Sequence, residues 1–140
     1  MIKPSPYLKK LEELTKQIPD VPFFLQHMFT QSHDMLVVAD SKGHFTWVNQ
    51  YTEDLLGYTR EEIYSMDFMS MVHPDDVAKT KQVYEDLLTI EGFKCHSFSN
   101  RYMTKQGEEV PLCWNTTTVI NGFIYCIGRH CELSRHFCKD

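Results

Sequence analysis

The chain of 140 residues has no long hydrophobic run. No unbroken apolar stretch is longer than that of residues 35–39, whereas a helix that spans a bilayer needs roughly 20 residues. No positively charged leader precedes an apolar stretch at the amino end, so neither membrane insertion nor secretion is expected of this segment. Lysine and arginine form no cluster, and the net charge is −5. Without a basic face nothing neutralises phosphates, so DNA and RNA are not expected partners. The five cysteines, Cys95, Cys113, Cys126, Cys131 and Cys138, are odd in number and include no C-x-x-C pair. That argues against a disulfide framework and a zinc ribbon, and it fits a reducing cytoplasm. Repeats and low-complexity tracts are missing too, which leaves one modestly acidic globular domain as the expectation.

What is present is a change of hydrophobic period along the chain. Ser5 and Pro6 suit a helix start. After them Tyr7, Leu8, Leu11, Leu14 and Ile18 share one helical face, while Lys9, Lys10, Glu12, Glu13 and Lys16 share the other. Pro19 ends that pattern, and a second segment with Phe23, Phe24, Leu25, Met28 and Phe29 is apolar enough to require a packing surface. From Asp34 the spacing predicts strands over 35–40 and 44–48, reversed at Ser41-Lys42-Gly43. Three short helical pieces follow: 50–56 closed by Gly57, one opened by the capping box Thr59-x-x-Glu62, and 66–72. His73-Pro74-Asp75-Asp76 opens a longer helix, its proline and acids suited to the positive end. On it Val77, Thr80, Val83, Tyr84, Leu87 and Leu88 form a core-facing stripe, and Lys79, Gln82, Glu85 and Asp86 face water. Beyond Gly92 the spacing predicts strands over 93–103, 109–120 and 123–130, joined at Lys105-Gln106-Gly107 and Asn121-Gly122 as an antiparallel meander. The order β-β, helical middle, β-β-β is that of an α+β domain, because no β-α-β alternation demands a parallel sheet.

On that element order lie Asp40-Ser41-Lys42-Gly43 with Val48-Asn49, then Leu56-Gly57-Tyr58-Thr59-Arg60-Glu61-Glu62, Val72-His73-Pro74-Asp75-Asp76, and Phe98-Ser99-Asn100-Arg101-Tyr102 with Lys105-Gln106-Gly107. In this order and at this spacing they resemble a PAS domain, over about residues 32–136. The resemblance implies a five-stranded antiparallel sheet curved around short helices, with a small cavity between sheet and long helix. It divides the chain into an N-terminal helical extension (1–30), a PAS domain (31–136) and a tail or outgoing linker (137–140). It also implies a sensory or dimerisation module of a cytoplasmic signalling protein, upstream of a histidine kinase or diguanylate cyclase.

The residues speak to cofactors as follows. A light-oxygen-voltage flavin site needs a reactive cysteine in an N-C-R-F-L-Q-like helix, where this chain has Met66-Asp67-Phe68-Met69-Ser70-Met71. Heme ligation in this fold takes a histidine from the long helix, but residues 75–91 contain none, and His73 suits capping. Non-covalent flavin would use Trp47 and Trp114 with Asn49 or Asn115, against the plainer reading of tryptophans as core. Cys126, His130, Cys131, His136 and Cys138 are soft and imidazole ligands for a metal or thiol redox site. Their spacing matches no common zinc knuckle, and alternate strand residues point to opposite faces. No cofactor is therefore expected. A small ligand, if bound, would meet Met69, Val83, Leu87, Phe98, Leu112, Trp114, Ile124 and Cys126. Among Met66, Met69 and Met71, adaptable thioethers can line a pocket or simply fill gaps. Strand parity stays open, because both faces of the sheet can be covered.

An enzyme is not expected: His73 near Asp75 and Asp76 is the one acid-base cluster, and it lacks a positioned nucleophile. The reading is a non-catalytic sensory and protein-interaction module, forming a homodimer and acting on a downstream signalling domain or protein. The stripe Leu8, Leu11, Leu14 and Ile18 either pairs two copies or packs within one chain. A flavin- or metal-dependent sensor is the alternative.

Overall fold

A computed structural model describes the fold of residues 6–131. Ser5, His136, Cys138 and the tail 137–140 lie outside the described residues, as does the side chain of Leu8. The chain divides into two compact units, Met1–Gln31 and Ser32–Asp140.

The first unit holds helices α1 (Pro6–Thr15) and α2 (Val21–Gln31). Helix α1 stops short of Ile18, which corrects the expected stripe. Gln17 and Ile18 donate to the carbonyls of Leu14 and Thr15 at 3.2 and 3.0 Å in tightened i to i−3 turns. The residue before Pro19 is driven out of the helical region, so Ile18 leaves the helical face. Leu11 and Leu14 are exposed. Asp20 opens α2 by accepting from Phe23 N at 3.0 Å. No residue of α2 is buried. At 100° per residue Phe24, Leu25, Met28 and Phe29 share one arc of roughly 140°, with Phe23 on the opposite side.

The second unit contains β1 (Met35–Asp40), β2 (Phe45–Val48), α3 (Gln50–Leu56), α4 (Arg60–Ser65), α5 (Val77–Thr89), β3 (Cys95–Met103), β4 (Glu109–Thr116) and β5 (Phe123–His130). The strands form one antiparallel sheet in the order β2-β1-β5-β4-β3. Hairpin and meander thus join through β1 and β5, first and last in the chain. The α+β, five-stranded antiparallel architecture is the one expected.

Local chemistry explains most of the connections. At the first reversal the Asp40 carboxylate accepts from Lys42 N and His44 N at 2.9 and 3.0 Å. Asn49 caps α3 by accepting from Thr52, and it also ties down β1, accepting from Leu36 N at 3.1 Å and donating to Asp34 O at 3.0 Å. Thr59 and Glu62 form the reciprocal capping box of α4. Asn121 and Gly122 both have positive φ (52° and 85°), as a two-residue hairpin turn requires.

Other boundaries shift. Residues 66–72 are not α-helical: Asp67 accepts from Met69 N and starts a single 3-10 turn, Phe68–Met71. A second such turn, Pro74–Asp76, precedes α5, with His73 Nδ1 accepting from Asp75 N at 3.1 Å. Leu88 is exposed, so the buried stripe of α5 is narrower than predicted. Strand β4 ends at Thr116 rather than residue 120, because the Thr117 hydroxyl accepts from Tyr125 N in place of a ladder carbonyl.

Strand β3 contains a bulge. Cys95 pairs with Thr116 and Phe98 with Trp114, so three steps on β3 oppose two on β4. Ser97 absorbs the extra residue at φ 56°, its N–H donating to Asn115 Oδ1 at 3.2 Å. This extra residue puts both Cys95 and Phe98 on the core side. Beneath the sheet, Met35, Val48, Leu56, Ile63, Met71, Leu112 and Ile124 form the fully buried heart of the core.

Candidate ligand cavity between the sheet and the long helix

Helix α5 lies over the inner face of the sheet, and a cavity of about 70 Å³ remains between them. From α5 it is lined by Thr80, Val83, Tyr84 and Leu87, and from β3 by Phe98, Asn100 and Tyr102. Strands β4 and β5 contribute Trp114, Thr116, Ile124 and Cys126, and the far end is closed by Ala39, Phe45 and Phe68. Of the ligand candidates read from the sequence, Val83, Leu87, Phe98, Trp114, Ile124 and Cys126 stand on this wall. Leu112 and Met69 do not: Leu112 is wholly buried in the core, and Met69 packs against it from the 3-10 turn.

Most polar groups of the cavity are spoken for by one chain of hydrogen bonds. Trp114 Nε1 donates to Asn100 Oδ1 at 2.8 Å, Asn100 Nδ2 donates to Thr80 Oγ1 at 3.1 Å, and that hydroxyl donates to Asp76 O at 2.7 Å. An indole N–H can only donate, which fixes the Asn100 amide with its oxygen toward Trp114. Asp76 then holds Arg101. Its carboxylate accepts from Arg101 N at 2.7 Å, from Nε at 2.9 Å and from Nη2 at 2.9 Å. Three charge-assisted bonds hold the buried Asp76 carboxyl at about 2, with the Arg101 hydrogen bond the main cause. The sequence placed Asp76 as a helix-end acid and Arg101 within a strand motif. That they meet was not legible, because they are far apart in the chain.

At the other end of α5, the Tyr84 hydroxyl donates to Asp40 O at 2.6 Å and accepts from Gly43 N at 3.1 Å. Sequence reasoning missed Asn100, Tyr102 and Thr116 as wall residues, because polar side chains on a strand read as solvated, and it placed Thr80 on the core-facing stripe of α5 without counting it as a ligand contact. Burial pushes the Cys126 thiol up to about 12, and it raises Cys95, Tyr102 and Tyr84 as well. These groups are neutral at physiological pH.

Trp114 also explains a glycine. The indole lies across Gly128 on the neighbouring strand, and a Cβ there would sit 2.8 Å from Trp114 Cη2 and Cζ3. The ring cannot retreat without breaking its bond to Asn100. Gly128→Ala is expected to destabilise the fold by about 1–3 kcal/mol through overpacking, read as a lower urea midpoint. An unchanged midpoint would show that the ring gives way freely.

The residues proposed for flavin do not converge. Trp114 lines the cavity, but Asn115 on the same strand alternates to the other face and accepts from Ser97. Asn49 is buried and engaged in capping, and Trp47 stands on β2 outside the cavity wall. Among the described residues no group of three His, Cys, Asp or Glu side chains could hold a metal ion. Cys95 and Cys126 are free thiols, whereas Cys113 is disulfide-bonded. A disulfide runs against the expectation of no disulfide framework in a reducing compartment. Cys113 alternates with the core-facing Leu112 and Trp114, which turns its sulfur to the opposite face of the sheet.

Comparison with known proteins agrees with this geometry. A family model described as the PAS fold matches residues 45–128, more than half of the chain. Among solved structures, a domain of a sensory box sensor histidine kinase/response regulator from Geobacter sulfurreducens superposes with a TM-score of 0.68 at 19% identity, covering 82% of this chain and 98% of that one. The PAS domain of an HTR-like protein from Haloarcula marismortui gives 0.65 at 20% identity, covering 78% and 96%. The Period circadian protein of Manduca sexta is 24% identical over 114 residues, which is 79% of this chain. The chain spans only 28% of the length of that relative. With the matched segment running from β2 to β5 and enclosing the whole cavity wall except Ala39, the chain belongs to the PAS-fold family.

Proposed function

We propose that this domain is a non-catalytic sensory and interaction module of a signal-transduction protein, in which occupancy of the cavity under α5 changes how the domain engages its partner. The observation that carries this reading is the hydrogen-bonded chain from Trp114 through Asn100 and Thr80 to Asp76 and Arg101. It couples the cavity wall to the start of α5 and to β3, so a ligand that moves one end strains the other. A histidine kinase or diguanylate cyclase is the downstream element favoured, in a cytoplasmic protein acting as a homodimer. The first of these is supported by likeness to a domain of a sensor histidine kinase. No cofactor is invoked, since about 70 Å³ suits a small molecule better than a flavin ring system.

Absence of turnover is supported by the state of the nucleophiles. Cys126 and Cys95 are kept as thiols by burial. His73 is engaged by Asp75 N on one ring nitrogen and by Glu109 at 3.2 Å on the other. Native mass spectrometry of freshly purified chain tests the reading in one measurement. A small bound mass on a dimer is expected, whereas a bare monomer at every concentration counts against both ligand and homodimer. Exposed Leu11 and Leu14 on α1 are the proposed pairing residues, with Leu8 beside them in sequence. Sedimentation of Leu11→Lys/Leu14→Lys should then give monomer where the parent chain gives dimer.

A further inference from the structure

One polar group on the cavity wall is neither engaged nor sealed away. Thr116 Oγ1 also lacks a hydrogen-bond partner among the described residues, but it is closed off from all open space, so nothing in the cavity reaches it. The Tyr102 hydroxyl differs. Tyr102 lines the cavity and is 3% exposed, and its hydroxyl makes no hydrogen bond among the described residues, yet it is not sealed as Thr116 Oγ1 is. Strand alternation turns it inward beside Asn100, and its ring is held against Trp114 with centroids 5.6 Å apart. Burial raises its pKa, and the Cys126 thiol on the same wall lies close enough to raise it further, so the hydroxyl keeps its proton and remains a donor. That thiol is itself directed to Ile124 O at 3.9 Å. A buried donor left unpaired is a free-energy penalty that a folded protein rarely keeps without a use.

We propose that the cavity takes a small, uncharged molecule with an apolar body and one acceptor oxygen, such as a short ketone or ether, and that this oxygen accepts from the Tyr102 hydroxyl. The proposal rests on reading the cavity as a ligand site and adds the class of ligand and its anchor. Size sets one limit: about 70 Å³ is about half the volume of an apolar cavity that takes up benzene, so the occupant has about three or four non-hydrogen atoms. Charge sets the second. No lysine, arginine or histidine lines the wall to hold an anion, and no carboxylate lines it to hold a cation. The Cys126 thiol, pushed up to about 12, supplies no thiolate either. Polar-group count sets the third. Asn100, Thr80, Trp114 and Tyr84 already satisfy one another or the backbone, which leaves the Tyr102 hydroxyl as the donor to be served.

The test uses the full chain and three probes followed by the methyl resonances of Val83, Leu87 and Ile124. The probes are acetone, isobutene and acetate, which share a planar, branched shape and a heavy-atom count and differ in the oxygen and the charge. The expected result is saturable shifts with acetone and isobutene and none with acetate. Tyr102→Phe removes the hydroxyl at nearly constant shape. It should weaken acetone by about three- to tenfold and leave isobutene within about twofold. A second reading needs no variant: in the parent chain the resonance of Tyr102 Cζ, which carries the hydroxyl, should move further with acetone than with isobutene. Equal acetone affinity in parent and variant, an equal loss for isobutene, a Tyr102 resonance that acetone leaves unmoved, or acetate binding as well as acetone would overturn the ligand class while leaving the cavity as a site. Failure of all three probes to enter would instead overturn the cavity reading itself.

Discussion

Replacing Trp114 with alanine is expected to lower folding stability by about 3–5 kcal/mol, the range for truncating a large buried aromatic. Two effects act together. The indole fills the space against Gly128 and tilts against Tyr102 with ring centroids 5.6 Å apart, so truncation leaves a void in a close-packed core. It also removes the donor to Asn100 Oδ1, and Asn100 is only 4% exposed, so its carbonyl is left without a partner. Trp114→Phe separates the two: it keeps most of the ring but not the N–H, and should cost about 1–3 kcal/mol. Urea unfolding of both variants measures the difference. If phenylalanine proves as stable as tryptophan, the Trp114–Asn100 bond contributes nothing net and the coupled chain loses its first link.

The second large effect concerns Asp76, which is 5% exposed and bonded three times to Arg101. Asp76→Ala should cost about 2–3 kcal/mol, somewhat below the usual penalty for breaking a buried pair, because Arg101 is partly exposed and water can take up some of its lost bonds. The pair also predicts an acid limb. The folded carboxyl titrates at about 2 against an ordinary 3.8, so the unfolded chain binds the proton more readily. Its stabilisation is therefore complete above about pH 5, and it is lost as pH falls through about 4 towards 2, amounting to about 2 kcal/mol. Urea midpoints from pH 7 to pH 2 should fall for the parent chain and fall less for Asp76→Asn. Parallel curves would refute the assignment of that limb to Asp76.

Both predictions concern residues whose importance is invisible at short range, and this divides what sequence reading captured from what it missed. The reversal at Asp40–Gly43, the cap Thr59, the stop at Gly57 and the Asn121-Gly122 turn were all legible. Each depends on hydrogen bonds or φ preferences spanning a few residues, which the amino-acid types specify directly. The helical extension was legible in period but not in extent, since Pro19 withdrew Ile18 from its face. Six of eight proposed ligand contacts lie on the cavity wall because apolar strand and helix residues near a sheet–helix interface tend to face it. Met69 and Leu112 missed for the same reason in reverse: apolarity selects the interior but does not distinguish a cavity wall from solid core.

The residue types and their periodicity thus established that this is an α+β chain of helical extension, hairpin, helical middle and meander, and their motifs carried the likeness to its family. Three-dimensional assembly settled the rest. The bulge at Ser97 set which β3 side chains face inward, because one extra residue reverses the parity of everything before it. The meeting of Asp76 with Arg101, of Trp114 with Asn100, and the isolation of Thr116 Oγ1 all arise across strands or between sheet and helix. Such contacts depend on register and packing distance, quantities that no local pattern of side chains encodes.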